Sequence, residues 1–501
     1  MAGRNKKRRD RGNDRRFTNA KYSKRMMGIA TKISIGTLVS IAIILLAYMY
    51  NKYKLQHASN VLEETLTGLL REENSAKVSP GTKVAIGFGS CQDIIVQSNQ
   101  VVFDRPPKYP EHHFSIANKE EFLGVFSYFY QHGAAAERFV SNSTFFGELV
   151  HLAEKAPSAR YIIGGNAPVM AKRFVKEGVE QVLLGAQMSR SLETQFPKNI
   201  KISGPFVDED DIHLLLEYPA GQRWGNFIPV RANRFIIHND HQNPELSSLD
   251  TFVAQVENYN PNLLVIGGLQ MMDNFPMQES KRRDRLQKVQ NLMKKQPENV
   301  RIHFEMASFS DEDLFRDLVQ NIVPYADSLG MNEQELPNLY HMMKYGNISL
   351  VAESRPRIAV ILDEMRDIFR FLQQTSETEG RRRLTRLHVH TLAFQAFLTD
   401  KKSPWKNTKA AAAKSALTAN RHTCGSDIIN TEKAKLIMDE SFTMSLRENA
   451  ERKHFDVKNP ISCWDEGTYE VCVAPVLVCT EVLQTGGGGD NISSAGLVLQ
   501  I

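Results

Sequence analysis

Val476-Leu-Val478, followed by Thr485-Gly-Gly-Gly-Gly-Asp490-Asn-Ile-Ser-Ser-Ala-Gly-Leu497, reads as an apolar strand, a glycine-rich turn and the start of a helix. Glycines let backbone N–H groups approach an anion, and a helix amino terminus adds positive potential there. An Asp at that junction is placed to accept a proton from an attacking hydroxyl. Phosphoryl transfer suits such a design, because positioning and charge stabilisation dominate that chemistry. Taken alone, the stretch fits a flexible turn as well. The chain has neither a G-x-x-x-x-G-K-[ST] loop nor the protein-kinase signature set.

Outward from this stretch, short apolar runs alternate with amphipathic ones. The patterns predict strands over 83–88, 160–164, 181–184, 213–218, 234–238, 262–267, 301–306, 358–362, 386–391 and 471–478. They predict helices over 145–156, 278–295 and 311–322. Such alternation implies an α/β fold, a mainly parallel sheet with helices on its faces. Residues 375–383 and 401–414 read as solvated insertions or loop-helix pieces, with a helical turn at Ala410–Ala413.

Charge divides the chain. Residues 1–32 carry twelve basic and two acidic residues, a local +10, which leaves −5 of the formal +5 for residues 33–501. A mildly acidic body excludes a generally basic nucleic-acid binder. With 42% hydrophobic and 24% charged residues the chain is not wholly disordered. Five cysteines, an odd set, exclude a disulfide-dense scaffold and allow at most two bridges of unreadable connectivity.

After the basic tail, residues 33–50 are uncharged and long enough to span a bilayer as a helix, with Tyr48 and Tyr50 at one end. This is read as a transmembrane signal anchor; a cleaved signal peptide is the competing reading. The positive-inside bias leaves the amino terminus in the cytosol and the body in the lumen of the secretory pathway or outside the cell. Residues 51–80 read as a stalk. Sequons at Asn142 and Asn347 fit a lumenal body, and a third at Asn491 is expected to stay unmodified.

Two further groups could carry chemistry. Glu305, ending the run Arg301-Ile-His-Phe-Glu305, and Asn332-Glu-Gln-Glu335 offer carboxylates and an amide of the kind magnesium prefers; helix capping by Asn332 is the plain alternative. Asp93, Glu137 in Gly133-Ala-Ala-Ala-Glu-Arg-Phe139, Gly165 and Asn166 in Gly164-Gly-Asn166, and His213 could bind a polyhydroxy ligand by directed hydrogen bonds.

Together these blocks resemble the ADP-dependent glucokinases of the ribokinase-like superfamily, from about Lys83 to Leu497. Further matching blocks are His213-Leu-Leu-Leu-Glu-Tyr218, Ala232-Asn-Arg-Phe-Ile236, Gly268-Leu-Gln-Met-Met272, His303-Phe-Glu305, Ser328-Leu-Gly-Met-Asn-Glu-Gln-Glu-Leu336 and Leu384-Thr-Arg-Leu-His-Val-His-Thr-Leu392. The pattern is most similar to the animal branch, whose members carry an amino-terminal membrane-targeting segment and are associated with the endoplasmic reticulum.

The resemblance implies a three-layer α/β sandwich over 81–501, with a smaller α/β lid drawn discontinuously from about 100–240. It implies the reaction ADP + D-glucose → AMP + glucose 6-phosphate with Mg²⁺, by a monomeric enzyme. Asp490 would be the base, with the backbone N–H groups of Gly487, Gly488, Gly489 and Asp490 forming an anion hole. Glu305, Glu335 and Asn332, with Asp490, would order magnesium, largely through waters. Arg234 would clamp phosphate, and His388 would line the nucleotide pocket. Asp93, Glu137, Gly165, Asn166 and His213 would hold the sugar.

Two departures stand out. The family's Thr-Val-Gly-Leu-Gly-Asp is here Thr485-Gly-Gly-Gly-Gly-Asp490, with Gly486 and Gly488 lacking side chains that would stiffen the loop, and Gly89 stands where relatives have Asn. They leave room for a weak or non-catalytic sugar- or nucleotide-binding relative. A kinase for fructose 6-phosphate is the other alternative, disfavoured because the Glu137 carboxylate would repel a phosphorylated sugar.

Overall fold

The computed structural model describes residues 14–501 except 103, 350–352, 354 and 375–379. The chain divides into two compact units, Met1–Val61 and Leu62–Ile501. Described residues of the first unit are helical, and Leu38, Ile43, Ile44 and Leu46 are exposed along it. Among the described residues one helix, Thr37–Glu73, is long and apolar enough to cross a membrane.

The second unit holds a ten-stranded sheet. From one edge its strands run Ile200–Ile202, Gln181–Gly185, Lys83–Gly87, Leu263–Ile266, Arg301–Glu305, Ser328–Asn332, Arg386–His390, Phe394–Asp400, Tyr469–Pro475 and Ser462–Glu466. Neighbours are parallel as far as Arg386–His390 and antiparallel beyond it. Helices on both faces explain the continuously buried runs at Leu263–Ile266 and Phe394–Asp400. Strand alternation sends Ala85, Leu264 and Ile302 into one core with helices Glu279–Lys294 and Ile358–Gln374. It sends Val84, Val182 and Leu263 into the other, with helices Asn166–Lys176, Thr408–Cys424 and Gly488–Val498. This is the expected three-layer α/β sandwich.

A six-stranded sheet is built from Ser115–Ile116, Ala136–Val140, Asn233–His238, Ile212–Tyr218, Cys91–Gln97 and Arg160–Gly164, in that order. One face carries Ile94, Leu214, Leu216 and Phe235 into a core with Phe122, Phe126 and Phe129 of helix Lys119–His132. The opposite face mixes Asp93, Glu137, His213 and Glu217 with Leu215 and Ile236 and turns toward the large sheet.

Several expectations are corrected. Residues 358–362 are not a strand but open helix Ile358–Gln374; the spacing of Ile358, Ile361, Leu362, Met365, Ile368, Phe369 and Leu372 has the helical period, visible only over the longer window. The 471–478 run is interrupted, since Tyr469–Pro475 ends at its proline and Val478–Cys479 pairs elsewhere. Of the two readings of 401–414 the loop-helix one holds and the solvated one does not: a loop leads into helix Thr408–Cys424, where Ala411, Ala412 and Ala413 are fully buried and small side chains let it lie close on the sheet. Of 375–383, residues 375–379 lie outside the described set, while Arg382 Nη1 donates to Asp327 at 2.7 Å and to the Val300 carbonyl at 2.7 Å.

The stalk is also shorter than expected. Residues from Leu62 onward belong to the second unit, with Thr65 and Leu69 fully buried. Glu73 accepts from Arg421 at 2.7 and 3.0 Å and from Lys414 at 3.2 Å. Disulfides join Cys424 to Cys479 and Cys463 to Cys472, leaving Cys91 free and buried.

Candidate active site

A cavity of about 530 Å³ opens between the carboxyl ends of the large sheet and the polar face of the smaller one, where ligands of open α/β sheets bind. Asp93, Glu137, Gly165, Asn166, His213, Arg234, Glu305, Asn332, Glu335, Gly487, Gly488, Gly489 and Asp490 all line it. His388 does not. It is fully buried, stacked on Phe397 at 4.0 Å and bonded through Nε2 to Gln395 Oε1 at 3.0 Å. Helix Gly488–Val498 covers that level of the strand, and His390, one residue pair further on, reaches the cavity.

The glycine-rich loop ends at Gly487, whose φ of 67° is left-handed and caps helix Gly488–Val498. The N–H groups of Gly488, Gly489 and Asp490 therefore stand in the first turn without intrahelical acceptors. The loop is tied from outside: His422 Nε2 meets the Gly486 carbonyl at 2.8 Å, and Glu217 accepts from Thr485 and Gly486. A Cβ on Gly486 would lie 2.6 Å from Leu215 Cδ2, so Leu215 fills the space a stiffening side chain would need. Apolar residues Leu392, Ala419, Ile437, Val476 and Val478 line the cavity beyond the loop.

Asp490 sits in that first turn and accepts from Asn166 Nδ2 at 2.9 Å; Asn166 in turn accepts from Gln270 at 2.6 Å. Burial, helped by the charge of Glu305, raises the Asp490 pKa to about 8, against the opposing pull of Asn166 and Arg234. Burial likewise raises Glu305 and Glu335 to about 8. His303 Nε2 meets Glu305 Oε2 at 2.8 Å, and His303 Nδ1 meets Ser328 Oγ at 2.8 Å. Burial holds the His303 pKa well below its usual value, so the ring is neutral.

Asn332 and Glu335 close on each other: Asn332 N and Nδ2 donate to the carboxylate at 2.9 and 2.7 Å, while Asn332 Oδ1 accepts from Glu335 N at 2.9 Å. The capping and magnesium readings are thus compatible, since the cap presents the carboxylate at the cavity. The carboxylate oxygens of Glu305, Glu335 and Asp490 do not all come within 4.8 Å of one another. Three hard oxygen donors, spaced apart and short of counter-charge, suit a magnesium ion that keeps its waters.

The smaller sheet supplies the other wall. His213 Nε2 meets Asp240 Oδ2 at 2.9 Å, and His213 Nδ1 lies 3.5 Å from Glu137. Burial alone would lower the His213 pKa, but Asp240 and then Glu137 reverse that and raise it to about 10. Asn243 bonds Asp240 at 2.6 Å and the Ser90 carbonyl at 2.9 Å. Cys91 Sγ donates to Asp93 at 3.2 Å, and a Cβ on Gly164 would overlap the Asp93 carboxylate. Gly165, at φ 84°, begins the helix that carries Asn166.

Sequence reading missed Asp240, Asn243, Glu217, His390 and the pair Arg231–Glu333, whose Nη1–Oε1 distance of 2.5 Å bridges the two sides of the cavity. Glu217 had a signal: counting by twos from His213 puts it on the same strand face. His390 had the same signal, two residues beyond His388 on strand Arg386–His390; Asp240, Asn243, Arg231 and Glu333 lie in loops, where no local period marks them.

A family model described as the ADP-specific phosphofructokinase/glucokinase conserved region matches residues 82–499. The chain is 31% identical over 421 residues to ADP-dependent glucokinase of Bos taurus, covering 83% of this chain and 84% of that one. It is 28% identical to probable ADP-dependent glucokinase of Caenorhabditis elegans over 92% of this chain and 94% of that one. Among solved structures, an ADP-dependent kinase in complex with fructose-6-phosphate and ADPβS aligns with a TM-score of 0.62 and 17% identity, covering 88% of this chain and 97% of that one. That likeness shows a shared fold.

Proposed function

Because the chain belongs to the ADP-specific phosphofructokinase/glucokinase family, and so is a phosphotransferase acting as an ADP-dependent hexose kinase, we propose that it transfers the β-phosphoryl group of ADP to the 6-hydroxyl of D-glucose. The observation that carries this reading is one cavity with Asp490 and the loop N–H groups on one side and Asp93, Glu137 and His213 on the other.

In this reading Asp490 takes the proton of the sugar's 6-hydroxyl, held in place by Asn166. The N–H groups of Gly488, Gly489 and Asp490, with the Arg234 guanidinium, receive the transferred phosphoryl charge. The apolar slot of Leu392, Ile437 and Val476 takes the base of ADP. Glu305, Glu335 and Asn332 would hold magnesium with Asp490 facing it; the ion supplies charge neutralisation for the phosphoryl oxygens. Glu137 and Asp93 place negative charge on the sugar wall beyond that of Asp240, which pairs with His213, and this favours an unphosphorylated hexose over fructose 6-phosphate. The amino-terminal helix would anchor the enzyme in a membrane, with the basic tail cytosolic and the body in the endoplasmic-reticulum lumen or secretory pathway.

The full chain in detergent, assayed with Mg²⁺, should form glucose 6-phosphate from ADP and glucose, and much less product with ATP or with fructose 6-phosphate. Asp490→Ala should lower turnover by roughly 10²–10⁴-fold, the range for loss of a general base. Absence of turnover with ADP, or equal rates with both sugars, would overturn the assignment.

A further inference from the structure

We propose that Glu217 is the positioning residue of the glycine-rich loop, and that it ties the loop mechanically to the sugar wall. The inference rests on reading that loop as the phosphoryl cradle.

Glu217 lies on strand Ile212–Tyr218 of the smaller sheet and is 4% exposed. Its Oε1 accepts from Thr485 N, from Thr485 Oγ1 at 2.9 Å and from Gly486 N at 3.3 Å. Its Oε2 takes Arg160 Nη2 at 3.3 Å, and the same guanidinium nitrogen donates to the Leu483 carbonyl at 3.0 Å. The residues on both sides of the loop's start are thus held from the smaller sheet. His422, on helix Thr408–Cys424 of the large unit, takes the Gly486 carbonyl at 2.8 Å.

Residues 213, 215 and 217 share one strand face. That face presents His213 to the sugar side, packs Leu215 against Gly486 and directs Glu217 to Thr485. Four consecutive glycines have more conformational freedom to lose than any other tetrapeptide. A charged acceptor that collects three donors at the loop's first residues replaces the stiffness their side chains would supply. Seating a hexose against His213 then fixes the strand from which the phosphate loop hangs.

The test uses the full chain and three variants: Glu217→Gln, Glu217→Ala and Arg160→Gln. Turnover, hexose KM and amide hydrogen exchange over 484–490 are read for each. For Glu217→Ala we expect kcat to fall about ten-fold or more with hexose KM changed little, the order expected when a hydrogen bond to a buried charge is lost. Exchange at Thr485 and Gly486 should rise by a similar factor, while exchange in helix 408–424 stays put. Glu217→Gln keeps an acceptor oxygen and should recover part of both losses, and Arg160→Gln, at a half-exposed site, should show the smallest change. Unchanged exchange and kcat in Glu217→Ala overturns the proposal. So does faster exchange throughout the body, which would mark a merely structural residue. If the parent chain fails to turn over ADP, the function falls, yet exchange at Thr485 and Gly486 still decides the role of Glu217.

Discussion

Asp490, Glu305 and Glu335 share one cavity, and each titrates near 8 because burial disfavours its charged form. In the unfolded chain such carboxyls ionise near 4. Between those limits the folded state binds more protons than the unfolded one, so stability from these groups is full below about 4 and is lost as pH rises toward 8. His213, raised from 6.5 to about 10 by Asp240, loses its contribution as pH rises from about 6.5 to 10, which overlaps the upper part of that window. Asp490→Asn should therefore melt higher than the parent at pH 8, with the gap shrinking as pH falls and closing near pH 4. Magnesium should narrow the gap at pH 8 by favouring the parent's carboxylates. Thermal melts with and without Mg²⁺ at both pH values check this; a parent chain that melts no lower than the variant at pH 8 contradicts it. Asp490, Glu305 and His213, singled out in the sequence by residue type and motif, all line the cavity. His388 was misplaced because only the covering helix decides which histidine of Arg386–His390 meets the cavity.

At the scale of elements, the end of the amino-terminal helix works as part of the body. Leu69 fills the core shared with helices 166–176 and 408–424, and Glu73 satisfies Arg421 and Lys414. A chain beginning at residue 62 should keep the stability of one beginning at 51. A chain beginning at 74 should lose about 3 kcal/mol or more, from one buried leucine and the Arg421 guanidinium left without its carboxylate. Urea midpoints of the three chains decide it, and equal midpoints would return residues 62–73 to a stalk. The sequence hid this role because Thr65, Leu66, Leu69 and Leu70 form a narrow stripe in the otherwise polar stretch 51–73 of the helix. It hid the buried alanine helix for a related reason: small residues signal burial only once the partner surface is known.

At the scale of the molecule, two sheets bracket the cavity, and side chains cross it: Arg231 to Glu333 and Glu217 to Thr485. These crossings suit a cleft that closes around its ligands and excludes water. The charge division bears on where that cleft works. A +10 tail before the apolar segment, against a −5 remainder, predicts that the body is shielded when protease is added outside intact microsomes. It should become sensitive once detergent opens them. Digestion of the body without detergent would reverse the orientation.

The sequence by itself determined the alternation of strands and helices, the polar residue types that gather at Asp490, Glu305, Asn332 and Glu335, and the asymmetry of charge, since each is written in local period or residue type. The tertiary structure alone decided which cysteines pair, where the folded body begins, and that Asp240 and Glu217 govern His213 and the glycine loop. Those are contacts between segments far apart in the chain. No local period encodes them, and they exist only once both sheets have formed.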